Sequence, residues 1–254
     1  MTRIARMGEG ERKTEDRGWE PSVPPPDSLS YFPDGGYAVW RRGSTIALLR
    51  CPRKFKHRPS QCDLLHFDLW DAGRNLLGDA GSYCYNCDEP WQSYFSSSAA
   101  HNTIRFDDHD PIPKLSRFLY GSWPHGDVQV DGQTVRASYR DCHGAHHCRL
   151  VEPTLSGFAV TDDIAGRFEK ATLRWRLHPA CEWTLGNREV SSDMMAVKID
   201  VASSGASPEF RLAEGWGSLY YREKHTVPVL EVHVAATCQR IRTEITLIRT
   251  TNHE

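Results

Sequence analysis

From Tyr31 onward the chain is a succession of short runs in which apolar and polar residues alternate, each closed by Gly, Asp, Asn or Pro. They read GYAVWRRG, STIALLRC, LLHFDLWDAG, NTIRFDD, DVQVDG, QTVRASYRD, CRLVEPT, GFAVTDDIAG, KATLRWRL, AVKIDVASSG, VPVLEVHVAA and TEITLIRT. A period of two belongs to an extended chain, whose successive side chains point to opposite faces. Turn residues at regular intervals join such strands into antiparallel hairpins. No stretch sustains helical periodicity beyond about two turns. The pattern predicts an all-β fold, a large antiparallel β-sandwich over residues 31–250.

Residues 1–30 read differently. They are charged, then proline-rich (Pro21, Pro24, Pro25, Pro26), and are expected to be a disordered tail or a linker remnant. The formal net charge of −2 argues against nucleic acid or an anionic membrane as a general electrostatic partner. No apolar run reaches the roughly 18–20 residues of a membrane helix, and the N-terminus has no apolar core of an export signal.

Three constellations carry chemistry. The first is Gln61–Asp63–His66–Asp68, followed by Asp79 and His101. Read as a strand, LLHFDLW turns Leu64, His66, Asp68 and Trp70 to one face and Leu65, Phe67 and Leu69 to the other. Imidazoles and carboxylates on adjacent strands form either a divalent-metal site or a hydrogen-bonded polar sheet face. The second is DCHGAHHC, with Cys142, His143, His146, His147 and Cys148. Its spacing matches no finger or ribbon, and a turn leading into a strand is expected. The third is CYNC, with Cys84 and Cys87, which lacks the βαβ setting of a redox C-x-x-C. The eight cysteines are irregularly spaced and suggest no disulfide framework. Eight Trp and nine Tyr leave core packing and sugar stacking both open.

The order of motifs then adds to this reading. FPDGGYAVWRRG, RPSQCDLLHFDLWDAGRNLLGDAGSYCYN and YFSSSAAHNTIRFDDHDPIPKLSRFLYGSW, with HHCRLVE, VTDDIAG, LRWRLHP and GWGSLYY downstream, resemble the C-terminal domain of the heparinase II/III-like polysaccharide lyases. The resemblance covers about residues 31–250. It implies a β-sandwich that closes the cleft of an N-terminal α/α toroid, and β-elimination on uronic-acid polysaccharides. It also implies a zinc site whose ligands are the His of H-A-D, the Asp of D-x-G and the His of H-N-T. Those motifs fall on Gln61, Asp79 and His101. Gln61 stands where the family has the ligand histidine, so the implied zinc site is weak; Cys62, Asp63 and His66 are candidate substitutes. Pro59 stands where several relatives have a functional histidine, leaving His57, His66 and His101 as imidazoles near the motif. His147 matches a histidine at the start of a family strand.

The resemblance implies an acidic polysaccharide as partner, a periplasmic or cell-envelope setting, and a toroid that this sequence does not contain. A truncated gene, a split enzyme with the toroid as a separate chain, and a fragment of a longer product all account for that. The isolated sandwich is then expected to lack lyase activity. The rival expectations are a non-catalytic carbohydrate-binding or lyase-accessory module and a structural metal-binding or interaction domain.

Overall fold

The computed structural model describes residues 27–54, 61–116, 119–121 and 123–249. The expected tail lies outside these residues up to position 26, as do His57 and Pro59. The folded part begins earlier than the alternation suggests. Strand β1 (Ser28–Phe32) pairs along its whole length with β2 (Tyr37–Arg42), so residues 28–30 belong to the sandwich and not to a tail.

Antiparallel pairing then continues through β3 (Thr45–Arg50), β4 (Phe67–Asp71) and β5 (Arg74–Leu77), closing a five-stranded sheet. A six-residue helix α1 (Trp91–Ser96) and a 3-10 turn (Ser98–Ala100) follow. The remaining strands are β6 (Ile104–Phe106), β7 (Lys114–Ser116), β8 (Leu119–Tyr120), β9 (Gly126–Asp131), β10 (Thr134–Arg140), β11 (Ala145–Pro153), β12 (Gly157–Gly166), β13 (Lys170–Arg176), β14 (Thr184–Leu185), β15 (Glu189–Ser191), β16 (Met195–Ser203), β17 (Glu209–Gly217), β18 (His225–Ala235) and β19 (Cys238–Leu247). One layer is an eight-stranded sheet in the order β14-β15-β16-β19-β12-β11-β10-β9. Facing it are the five-stranded sheet and a four-stranded sheet, β17-β18-β13-β6, which touch through a bridge between Leu77 and Leu177. Strands β7 and β8 form a small separate hairpin.

The alternation explains the layers. Along β16, Met195, Val197 and Ile199 are buried, with the residues between them turned outward. Phe67 marks where the three large sheets meet. Its ring packs edge-on against Trp40 from its own sheet, Phe158 from the eight-stranded sheet and Trp175 from the four-stranded one. Such aromatic contacts add to area burial. The β4–β5 turn places Ala72 and Gly73 at φ 46° and 77°, the left-handed pair that a two-residue hairpin of matching twist requires.

The expected strand around LLHFDLW starts only at Phe67. Leu64 and Leu65 form a turn instead, with Leu65 at φ 57°, closed by the His66 N–H donating to the Asp63 carbonyl. Burial of both leucines in the core holds this conformation.

Candidate metal centre

Three side chains converge at the end of the β4–β5 hairpin. His66 comes from the turn before β4, Asp79 from the coil just after β5, and His101 from the coil after the 3-10 turn. One potential ligand atom from each lies within 4.8 Å of the other two. His101 Nδ1 donates to Asp79 Oδ2 at 2.7 Å, and His66 Nε2 stands 3.7 Å from the same oxygen. The two imidazoles pack edge to face, with centroids 5.4 Å apart. Asp79 and His101 thus meet as expected, but from loops and not across neighbouring strands.

Backbone geometry places each member. Asp79 Oδ1 accepts the Gly81 N–H at 2.6 Å. Gly81 sits at φ 76°, and a Cβ there would lie 2.1 Å from the Ser218 carbonyl oxygen, so only glycine fits. Asn102, next to His101, is fully buried. Its Nδ2 donates to the carbonyls of Phe67 and Gly78, its Oδ1 accepts the Arg176 N–H, and its own N–H donates to His66 Nδ1. This one amide ties together all three segments that carry the cluster.

The electrostatics follow from this packing. Burial alone would raise the Asp79 carboxyl, but the facing His101 charge and hydrogen bond, with His66 behind them, bring it well below the carboxylate range. Burial alone would lower His101; the Asp79 charge and hydrogen bond reverse this and raise it. His66 and His101 are buried, whereas a third of the Asp79 side chain is exposed.

Two imidazoles and a carboxylate are a zinc ligand set. His66 Nε2, the ring atom that faces Asp79, is buried without a hydrogen-bond partner, as a ligand atom would be without a cation. One feature weakens the fit. Because His66 Nδ1 accepts the Asn102 N–H, the neutral ring carries its proton on Nε2, the atom a cation needs free. The donor set is of a kind that could hold a divalent ion.

The other substitutes stand elsewhere. Gln61 Nε2 donates to the Gly81 carbonyl at 2.9 Å, beside the cluster. Asp63 pairs with Arg50, and Cys62 lies in the apolar core, where burial pushes its thiol up. DCHGAHHC is a turn running into β11, as expected, with Asp141 Oδ1 accepting the His143 and Ala145 N–H groups. Cys84 and Cys87 form a disulfide in the loop after the Asp79 turn; six other cysteines are free.

One buried network escaped the sequence reading. His147 on β11 donates to Asp162 Oδ1 at 2.7 Å, and Arg149 binds both Asp162 oxygens. Arg149 Nη1 also donates to the carbonyls of Leu65 and Asn102, bracing the two loops that present His66 and His101. Only the parity of HHCRL on a buried strand hinted at an inward arginine.

The family model described as heparinase II/III-like, C-terminal, matches residues 24–244. The chain belongs to this family. Among solved structures, it is similar to a heparinase III gene product at 18% identity and a TM-score of 0.73, over 90% of this chain and 37% of that one. It is similar to the heparan sulfate lyase HepC from Pedobacter heparinus at 17% identity and a TM-score of 0.72, over 88% and 37%. This heparinase II/III-like chain therefore spans about 37% of the length of those structures, with which it shares the fold. No curated protein matches it. Among the described residues no helix is long and apolar enough to cross a membrane.

Proposed function

We propose that this chain is the sandwich module of a polysaccharide lyase that cleaves uronic-acid polymers by β-elimination, and that alone it binds such polymers without turning them over. The observation that carries this reading is the 2.7 Å contact between Asp79 and His101, the D-x-G and H-N-T residues of the family pattern, 22 positions apart in sequence. A generic sandwich has no need to bring them together.

The elimination requires a base for the C5 proton, a group that stabilises charge developing at the carboxylate, and an acid for the leaving oxygen. His66 and His101 are buried, so neither imidazole reaches a sugar as base. Their part is structural: with Asp79 they fix the loops that form one wall of a cleft. Asp79, His101 and His66 would hold a divalent cation, and zinc bound there supplies a positive charge that cross-links those loops. A single wall gives neither the positioning nor the water exclusion that catalysis needs. The remaining groups belong on an α/α toroid, and the setting that goes with such an enzyme is the periplasm or cell envelope.

The burial of both histidines equally favours the second reading, a non-catalytic carbohydrate-binding or lyase-accessory module. The two separate in a turnover assay. Purified chain is incubated with heparan sulfate, alginate, hyaluronan and chondroitin, alone and with a toroid domain from a relative, following absorbance of unsaturated uronate. Product only in the mixture supports the lyase module, and none in either selects the accessory module. Robust turnover by the chain alone would contradict both.

A further inference from the structure

We propose that the pocket between the β4–β5 hairpin and the β17–β18 connection is a binding subsite for one acidic sugar unit, which deepens the polysaccharide reading above and rests on it. The pocket has a volume of about 270 Å³. This is just below the roughly 300–1,000 Å³ of drug-sized ligand sites, so it takes a single ring and not an extended oligosaccharide.

Its lining supplies what a sugar ring needs. Trp70 offers an indole that is 43% exposed, a large apolar side chain left open to solvent. Such a ring matches the C–H face of a pyranose. Pro179 and Val227 continue the apolar surface. His178 Nδ1 donates to the Asn75 carbonyl at 3.0 Å, which leaves Nε2 of the neutral ring to accept from a hydroxyl.

The charge of the lining selects an acidic unit. Two guanidinium groups, Arg74 and Arg176, border the pocket, against one carboxylate, Asp79. Both Asp79 oxygens are engaged, Oδ1 by the Gly81 N–H and Oδ2 by His101. Arg176 is buried, with Nη1 donating to the Tyr94 hydroxyl and Nη2 to the Trp216 carbonyl, while its Nε has no hydrogen-bond partner. The anionic group is a uronate carboxylate or a sulfate ester, which present the same chemistry to these side chains. Asp79 belongs to both the pocket wall and the His–Asp cluster, so a unit bound here lies beside the candidate metal centre.

The test is calorimetric titration of the whole chain with three disaccharides: a uronate pair without sulfate, a sulfated uronate pair, and a neutral glucose pair. The variants are Trp70→Ala, Trp70→Tyr and Arg74→Gln, each checked for an unchanged melting curve. The expected result is at least ten-fold weaker binding of an acidic disaccharide by Trp70→Ala and Arg74→Gln, retention by Trp70→Tyr, and at least ten-fold weaker binding of the neutral pair by the parent chain. The preferred acidic pair identifies carboxylate or sulfate as the recognised group. Acidic binding unchanged in Trp70→Ala and Arg74→Gln would overturn the subsite while leaving the polysaccharide reading intact. Equal affinity for the neutral pair would overturn the acidic assignment. Failure of both acidic disaccharides and of their parent polymers to bind would overturn the subsite and the reading beneath it together.

Discussion

Arg149 and Asp162 stand directly opposite each other on β11 and β12 and are joined by two hydrogen bonds, Nε to Oδ1 at 2.7 Å and Nη2 to Oδ2 at 3.1 Å. Neither side chain is exposed. The third arm of the guanidinium, Nη1, crosses to the Leu65 and Asn102 carbonyls at 2.6 Å each. A buried ion pair in one layer of the sandwich therefore braces the loops of the candidate centre in the other.

Breaking this pair from one side leaves a buried, uncompensated charge. Asp162→Ala should cost about 3–5 kcal/mol of stability, read as a shift in the urea midpoint. Zinc affinity should fall with it if the brace positions His66 and His101. A loss below about 1 kcal/mol, the range of an exposed pair, would mean that the guanidinium is not confined as described.

The same network sets an acid limb. Burial alone would raise Asp162, but Arg149 and His147 bring its carboxyl from 3.8 to about 2. A depressed carboxyl stabilises the fold fully above its unfolded value, and the contribution fades as pH falls from about 3.8 to about 2. Burial lowers His147 below its ordinary 6.5, outweighing the opposing Asp162 hydrogen bond. The unfolded chain takes up that proton first, so stability declines as pH falls below 6.5. The raised His101 acts in the opposite sense to His147 near neutrality, so urea midpoints should fall most clearly below about 3.8, as the Asp162 contribution fades. A histidine NMR titration should find His147 titrating below the ordinary 6.5, and a midpoint above that value would contradict the assignment.

Gly81→Ala should damage the Asp79 turn more than an equivalent change elsewhere. At Gly43, φ is 58° and a new Cβ meets nothing within 4 Å, so alanine there costs only left-handed strain of about 1–2 kcal/mol. At Gly81 the same strain is joined by collision with the Ser218 carbonyl. Comparing the two melting temperatures isolates the collision; equal losses would show that the loop yields freely.

Restoring the family residue should strengthen the metal site. Gln61 already reaches the Gly81 carbonyl, two residues from Asp79, so an imidazole at this position stands beside the cluster. Gln61→His should tighten zinc binding at least ten-fold and His101→Ala should abolish it, in competition with a chromogenic chelator. No gain from Gln61→His would mean that His66 already completes the ligand set.

The layers were legible because period-two alternation survives wherever one sheet face is buried. All twelve alternating runs lie on strands. The strands that escaped detection are short or marginal to the pattern: β1, β5, β7, β8, β14 and β15 span two to five residues. Strand β17, in EFRLAEGWG, lies at a sheet edge and is mostly half-buried or exposed. In the candidate centre, Asp79 and His101 were legible from motif order, because D-x-G and H-N-T are local. His66 was legible only as one substitute among three. Its place depends on the left-handed turn at Leu65, and no residue preference announces a leucine there. The Arg149–Asp162 brace was hidden because the carbonyls it holds, Leu65 and Asn102, lie across the sandwich, 84 and 47 positions from Arg149 in sequence.

The account's central claim, that this sandwich recognises acidic polysaccharide, is tested most directly by affinity electrophoresis of the purified chain. Native gels are cast with heparan sulfate, hyaluronan, chondroitin or alginate, and with a neutral glucan. With a net charge of −2 the chain has no general basicity to bind polyanions indiscriminately. Retardation in at least one acidic gel and none in the neutral glucan is the predicted result. Equal mobility in every gel would contradict the claim.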